Sequence, residues 1–157
     1  LNKYSIGIEI SNPGHTYNYK NFSNKQIVSV KRLVKFLIKK YNIKVENLLG
    51  HSDIAPSRKV DPGEKFPWKK LSKYQLCKWH KLDPNYLKKS RNKKLSVKDS
   101  LLFFKNLYKI GYNKIKDLKL ANNNKLLTLA FQRRYRQELV NGKTDKECLL
   151  ISKNLLK

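Results

Sequence analysis

The segment that most restricts the fold of this chain is the run GHSDIAPSRKVDPG, which extends from Gly50 to Gly63. Pro56 and Pro62 cannot continue a regular helix, and Gly63 favours a turn at the end of the run. The run therefore predicts a shaped loop between regular elements. Polar side chains on a loop of this kind are often the functional residues of a protein.

Three side chains of this loop could carry chemistry. His51 offers a ring nitrogen and Asp61 offers a carboxylate oxygen, and zinc accepts both as ligands. Lys59 would bring a positive charge to the same place. A lone loop histidine is more often structural, and one lysine in a lysine-rich chain is weak evidence. Asp53 could bond to the other ring nitrogen of His51 or fix the turn, and we favour the turn.

The 157 residues carry a formal net charge of +25, which favours polyanionic partners such as nucleic acid, anionic lipid or an acidic wall polymer. The lysines are scattered along the chain and mixed with asparagine, whereas nucleic-acid readers more often cluster arginine and aromatic residues on one element. We therefore expect no specific nucleic-acid binding, although it remains an alternative.

Because Cys77 and Cys148 are far apart and form no CxxC motif, neither a disulfide framework nor a cysteine metal site is expected.

Local patterns predict one strand and several helices. The stretch from Tyr4 to Ile10 places isoleucine at every second position, which predicts a strand with Glu9 on its other face. Ser23 with Gln26, and Ser96 with Asp99, have the spacing of capping boxes at helix starts. A third capping box is predicted at Thr144 with Glu147. The sequence has no stretch that is long and apolar enough for a transmembrane segment. We also expect the protein to be a monomer.

These elements predict two domains joined by a linker. Residues 1–82 form the first domain, and residues 83–95, which include a turn and a basic polar run, form the linker. Residues 96–157 predict a small three-helix domain, near the lower size limit for independent folding.

Several motifs of the first domain occur together and in order. They are SIGIEI over residues 5–10, NPGH over residues 12–15, the loop over residues 51–63, and FPW over residues 66–68. Over roughly residues 1–80 the chain resembles the zinc-dependent N-acetylmuramoyl-L-alanine amidases of bacteria, the amidase-2 group. The C-terminal motifs AFQRRY (residues 130–135) and VNG (residues 140–142) resemble the small peptidoglycan-binding domain that is often attached to such enzymes.

The resemblance implies a fold, a reaction and roles for the site residues. The expected fold is an α/β amidase domain, a mixed sheet with packed helices whose N-terminal part is missing, followed by an all-α three-helix domain. The implied reaction is hydrolysis of the amide between N-acetylmuramic acid and L-alanine in peptidoglycan or muropeptides. By resemblance, His51 and Asp61 bind Zn²⁺, Glu9 is the general base and Lys59 stabilises the oxyanion.

One element of the family pattern has no counterpart in this sequence. The family binds zinc through two histidines and one aspartate, and the first histidine would precede Leu1. His15 and His80 do not occupy that place in the pattern. We therefore expect an N-terminally truncated chain with weak zinc binding and little activity. The alternative function is a catalytically inactive remnant that only binds peptidoglycan. Attachment to the wall favours the periplasm or cell envelope, with the cytoplasm as the other possibility.

Overall fold

The computed structural model describes residues 4–113 and 119–157. The secondary structure assigned within these ranges is helical. Two short 3₁₀ turns occupy His15–Tyr17 and Val45–Asn47. The α-helices are α1 (Asn24–Tyr41), α2 (His51–Ile54), α3 (Trp68–Ser72), α4 (Pro84–Ser90), α5 (Val97–Ile110), α6 (Leu120–Tyr135) and α7 (Lys146–Asn154).

The predicted mixed α/β fold of the first domain is wrong for this structure, because the described residues contain no strand and no sheet. The stretch from Tyr4 to Ile10, predicted as a strand, lies irregular at the surface, with Ile6 49% exposed and Ile8 36% exposed. Alternation of apolar residues shows which side chains could share a face, but a strand also needs a neighbouring strand for its backbone hydrogen bonds. No other described segment supplies one.

Helix α1 organises the first of two apolar clusters. Its predicted capping box is confirmed, since the Ser23 hydroxyl accepts from Gln26 N while the Gln26 side chain accepts from Ser23 N. One face of the helix buries Ile27, Val30 and Val34. These side chains pack in a cluster with residues from the following loop and α3, which are Phe66, Trp68, Leu71, Leu76 and Cys77.

The second cluster lies among α4, α5, α6 and α7. The Phe103 and Phe131 rings meet edge to face at 5.2 Å, and both are fully buried. The capping residue predicted for α5 is confirmed, since the Ser96 hydroxyl accepts from Asp99 N. The cap of α7 is Asp145 rather than the predicted Thr144, because the Asp145 carboxylate accepts from Cys148 N. Trp79 packs against both clusters and so connects the N-terminal half of the chain (up to residue 82) with the C-terminal half (from residue 83).

The side-chain amide of Gln132 joins the motif AFQRRY to the motif VNG. The Gln132 side chain oxygen accepts from the backbone N–H groups of Asn141 and Gly142 at 2.9 and 2.8 Å. Its nitrogen donates to the Lys143 carbonyl oxygen at 2.9 Å. The turn between α6 and α7 is therefore fastened to α6 by a single fully buried side chain, which satisfies backbone groups that would otherwise be unpaired.

Residues 83–95, predicted as a linker, contain helix α4. Asp83 caps this helix and Pro84 occupies its first turn, while Leu87 is only 4% exposed and belongs to the second cluster. Arg91 follows the helix and donates to both carboxylate oxygens of Glu147 at 2.7 and 2.9 Å. The segment is thus fastened to α7. The division of the chain into two domains stays a prediction.

A buried arginine anchors the start of α7. Arg136 is 3% exposed and pairs with Asp145, and its Nη1 lies 3.7 Å from Glu147. Arg136 also donates to Asn141 at 3.1 Å. This ion pair lies wholly within the C-terminal half, because every one of these partners follows α6 in the chain.

Both cysteines are buried and free. Burial is the main reason that the pKa of Cys77 rises to about 11 and that of Cys148 to about 12, so both thiols stay protonated at neutral pH. Over residues 4–113 and 119–157, no helix has the length and apolar composition needed to cross a membrane.

The His80 ring generates a prediction about stability and pH. It stacks on Trp79 at 5.1 Å, and its Nδ1 is buried with no hydrogen-bond partner in the described part of the chain. Burial, assisted by the positive charge of Lys69, lowers the pKa of His80 to about 4. The unfolded chain has a histidine pKa near 6.5 and so binds the proton more readily.

We therefore expect the contribution of His80 to stability to be complete above pH 6.5 and to be lost as the pH falls toward 4. Relative to the variant His80→Gln, the free energy of unfolding should decline by about 1 kcal/mol more between pH 7 and pH 4.5, an amount reduced because water reaches part of the ring. Urea unfolding of both proteins at several pH values measures this difference. Identical pH dependence of the two proteins would contradict the assignment.

Candidate functional site

The loop after Leu49 brings its two ends together through backbone hydrogen bonds. Gly50 precedes α2, and the Ser52 N–H donates to the Asp61 carbonyl oxygen at 2.9 Å. A cis peptide bond joins Asp61 to Pro62. A side chain on Gly50 would lie 2.9 Å from Pro62 Cδ, which is too close for a carbon contact. The loop therefore closes on itself more tightly than any residue but glycine allows at position 50.

This closure brings the two predicted zinc ligands together. His51 Nδ1 lies 3.0 Å from Asp61 Oδ2, although the residues are ten positions apart in the sequence. The His51 side chain is 46% exposed and the Asp61 side chain 59% exposed, so the pair faces solvent. A nitrogen and an oxygen at this separation are arranged as two neighbouring ligands of one small cation would be.

The other two predicted catalytic residues do not contact this pair. Glu9 is exposed in the irregular N-terminal stretch, and Lys59 is half-buried in the turn, where its backbone N–H donates to Ala55 O. Among the described residues, neither side chain forms an ion pair with His51 or Asp61. Their catalytic roles stay predictions.

The remaining histidines have other environments. His15 Nε2 lies 3.0 Å from Glu64 Oε2, so His15 forms its own exposed pair with a carboxylate. His80 is half-buried against Trp79. In the described ranges no group of three or more His, Cys, Asp or Glu residues could hold a metal ion. The donor chemistry of His51 and Asp61 thus fits two positions of a zinc site, while the described residues supply no third protein ligand.

Asp53 is the best-connected side chain of the loop. Its Oδ2 accepts from Gly50 N at 2.8 Å, which confirms that it fixes the turn rather than bonding to His51. The same oxygen accepts from Arg134 Nη1 at 2.6 Å, and Oδ1 accepts from the Tyr112 hydroxyl at 2.8 Å. The carboxylate is only 6% exposed, so its charge is balanced by groups of the C-terminal half.

Arg134 makes two further contacts, with one residue on each side of the loop. Its Nη2 donates to the Leu48 carbonyl oxygen at 2.7 Å, and its guanidinium lies 4.3 Å from the centre of the Trp68 ring. Burial is the largest single influence and lowers the pKa of Arg134. The charges of Asp53, Tyr135 and Tyr112 and the hydrogen bond to Asp53 together outweigh it, so the net shift is upward and the arginine stays charged. Burial, followed by the Asp53 charge, raises the pKa of Tyr112 well above its usual value, so its hydroxyl stays a donor.

The sequence alone did not indicate this arrangement. Arg134 was visible only as part of the AFQRRY motif, and 81 positions separate it from Asp53. The available signal was the pairing of an arginine on an otherwise apolar helix face with an acidic residue in the loop. In a chain with 36 Lys and Arg residues, that signal does not single out one arginine.

Comparison with known proteins defines the class to which the site is similar. Residues 1–64 match the sequence model of the family described as N-acetylmuramoyl-L-alanine amidase. The matched stretch includes Glu9, His51, Lys59 and Asp61, and it ends shortly after the loop.

Two relatives and one solved structure make the likeness more specific. The chain is 34% identical to the N-acetylmuramoyl-L-alanine amidase AmiD of Escherichia coli over 162 aligned positions, which cover 99% of this chain and 58% of that protein. It is 36% identical over 70 residues to the 1,6-anhydro-N-acetylmuramyl-L-alanine amidase AmpD of Haemophilus influenzae, covering 44% of this chain and 36% of the relative. A structure of the Escherichia coli AmiD with its substrate anhydro-N-acetylmuramic acid-L-Ala-D-gamma-Glu-L-Lys matches with a TM-score of 0.75 and 32% identity, covering 89% of this chain and 54% of that one.

These comparisons confirm the predicted resemblance to N-acetylmuramoyl-L-alanine amidases. The chain spans little more than half of the length of AmiD. Zinc binding, peptidoglycan binding by the C-terminal helices and N-terminal truncation stay predictions.

Gly63 generates a prediction about the loop. Its φ is +77°, and a Cβ atom there would lie 2.6 Å from Tyr19 Oη and 2.8 Å from His15 Cε1. The Tyr19 hydroxyl donates to Pro62 O at 2.6 Å and accepts from Lys65 N at 2.9 Å, so it cannot move without loss of both bonds. Gly14 is a matched control, because its φ is +71° but nothing lies within 4 Å of its Cβ position.

We expect Gly14→Ala to lower the free energy of unfolding by about 1 kcal/mol, because only backbone strain is added. Gly63→Ala should cost about 2 kcal/mol or more, because steric overlap is added to the same strain. Chemical denaturation of both variants gives these values. An equal loss at the two positions would show that the contacts of Tyr19 do not restrict the loop.

Proposed function

We propose that this chain contributes to hydrolysis of the amide bond between N-acetylmuramic acid and L-alanine in peptidoglycan or muropeptides, in cell-wall degradation or recycling. One observation carries the proposal: His51 Nδ1 and Asp61 Oδ2 lie 3.0 Å apart, facing solvent, inside the stretch that matches the amidase family. The AmiD structure with a bound anhydromuramyl peptide supports the choice of substrate.

His51 and Asp61 are the residues that would hold a zinc ion in this proposal. When bound, zinc supplies a positive charge that polarises the amide carbonyl and makes a water molecule more acidic. The carboxylate of Glu9 would take the proton of the attacking water and pass it to the leaving nitrogen. The Lys59 ammonium would stabilise the negative charge that develops on the former carbonyl oxygen. The roles of Glu9 and Lys59 rest on the resemblance to the family.

A second candidate function is favoured by the incomplete donor set. A catalytic zinc ordinarily has three protein ligands and one open position. The described residues offer two ligands, so this chain could instead be an inactive binding protein that only attaches to peptidoglycan. The two candidates differ in whether the muramoyl-alanine amide is cleaved.

Attachment to wall material would involve the C-terminal helices. A groove of about 590 Å³ lies between α5, α6 and the turn after α6. Its lining combines the Phe104 ring with the polar side chains of Asn124, Asn141 and Thr144. An aromatic face beside amides and hydroxyls suits a sugar or peptide with many polar groups. With such a partner, we propose a location in the periplasm or cell envelope, with the cytoplasm as the alternative.

The zinc assignment is tested by comparing two histidines that differ in their proposed role. His51 and His15 are both exposed, and each lies 3.0 Å from a carboxylate oxygen. We expect His51→Ala to weaken zinc binding by about tenfold or more, because a direct ligand is lost, and His15→Ala to leave it unchanged. Competition with a chromogenic chelator measures both affinities. Equal effects of the two substitutions would contradict the assignment.

The activity itself is tested with an anhydromuramyl tripeptide and with insoluble peptidoglycan. Release of the L-alanyl peptide, detected by mass spectrometry and abolished by Asp61→Ala, is the result expected of an amidase. Sedimentation with peptidoglycan without release of peptide would instead establish the binding protein. If the chain shows neither peptide release nor sedimentation with peptidoglycan, that result would contradict both functions.

A further inference from the structure

We infer that Arg134 is a positioning residue for the candidate zinc site, and that the C-terminal helices therefore form a structural part of that site. The guanidinium of Arg134 fixes the backbone on both sides of His51. It donates to the Leu48 carbonyl oxygen at 2.7 Å and to Asp53 Oδ2 at 2.6 Å. His51 lies between these two anchor points in the sequence.

The second ligand is connected to the same anchors. Asp53 Oδ2 accepts from Gly50 N, and this bond sets the start of α2. Within α2, Ser52 donates its N–H to Asp61 O at 2.9 Å. Displacement of Asp53 would therefore move the backbone of both His51 and Asp61. The side chains of the two ligands are about half exposed, so their positions depend on the backbone that these hydrogen bonds hold.

The environment makes this anchor strong. The Arg134 side chain is 3% exposed and the Asp53 side chain 6% exposed, so removal of either leaves an unpaired buried charge. The Trp68 ring lies against the guanidinium, and the Tyr112 hydroxyl bonds to the other carboxylate oxygen at 2.8 Å. Arg134 and Tyr112 both belong to the C-terminal half, so residues distant from the loop in sequence hold it in place.

Arg136 provides a matched control. Its side chain is 1% exposed and pairs with Asp145, whose side chain is 6% exposed, but its partners all lie in the C-terminal half. Arg136→Met should weaken the C-terminal helices without touching the loop. Arg134→Met should affect the loop directly. A general loss of stability would affect both variants, whereas a loss of loop positioning would affect only Arg134→Met.

The first measurement is amide hydrogen exchange of the whole metal-free chain, so it does not depend on the proposed function. We expect Arg134→Met to raise exchange of segment 48–62 by about tenfold or more, with α7 little changed, and Arg136→Met to show the opposite pattern. Unchanged exchange in segment 48–62 of Arg134→Met, or the same pattern in both variants, would overturn the inference.

Two milder variants cover the case in which Arg134→Met does not fold. Arg134→Lys keeps the charge but cannot contact both Leu48 O and Asp53, because a single ammonium replaces the planar fork. Tyr112→Phe removes one hydrogen bond to Asp53. Both should raise exchange of segment 48–62 by a smaller factor of about two to ten, and no change in either variant would count against the inference.

The second measurement rests on the proposed function, because it takes His51 and Asp61 as metal ligands. Zinc affinity should fall about tenfold in Arg134→Lys and stay within about twofold in Arg136→Met. Equal weakening in both would overturn the positioning role. If the parent chain binds no zinc while the exchange pattern is as expected, the proposed metal site fails and the mechanical coupling of Arg134 to the loop stands.

Discussion

The buried ion pair between Asp53 and Arg134 is the interaction on which the rest of the site depends. It joins a loop of the N-terminal half to helix α6 of the C-terminal half, with both side chains almost completely excluded from water. Breaking such a pair from one side typically costs about 3–5 kcal/mol, because the remaining charge stays buried.

Several other contacts also join the N-terminal and C-terminal halves of the chain around the loop. The first apolar cluster contains Trp68, which stacks on Arg134, and Trp79 packs against both clusters. Gln137 of the C-terminal half donates to Phe66 O at 2.7 Å. A division into a catalytic unit and a binding unit separates these residues in sequence, but in the structure the C-terminal helices complete the environment of the loop.

The sequence predicted well those features that depend on neighbouring residues. The caps at Ser23 and Ser96 involve partners three positions away, and the Gly and Pro residues of the loop restrict its own backbone. Features that depend on distant residues were not predictable. The isoleucine alternation near Glu9 could not show that a partner strand would be absent from the described residues, and the basic composition of residues 83–95 concealed the short helix that buries Leu87. The Asp53–Arg134 pair spans 81 positions and left no local pattern.

The proposed function requires that His51 and Asp61 form two neighbouring positions of one zinc site. Anomalous diffraction at the zinc edge, from crystals of the chain soaked in zinc, tests it most directly. If the two residues are zinc ligands, we expect a single strong peak about 2.0–2.2 Å from both His51 Nδ1 and Asp61 Oδ2. A peak at His15 and Glu64 instead, or no peak at the loop, would contradict it.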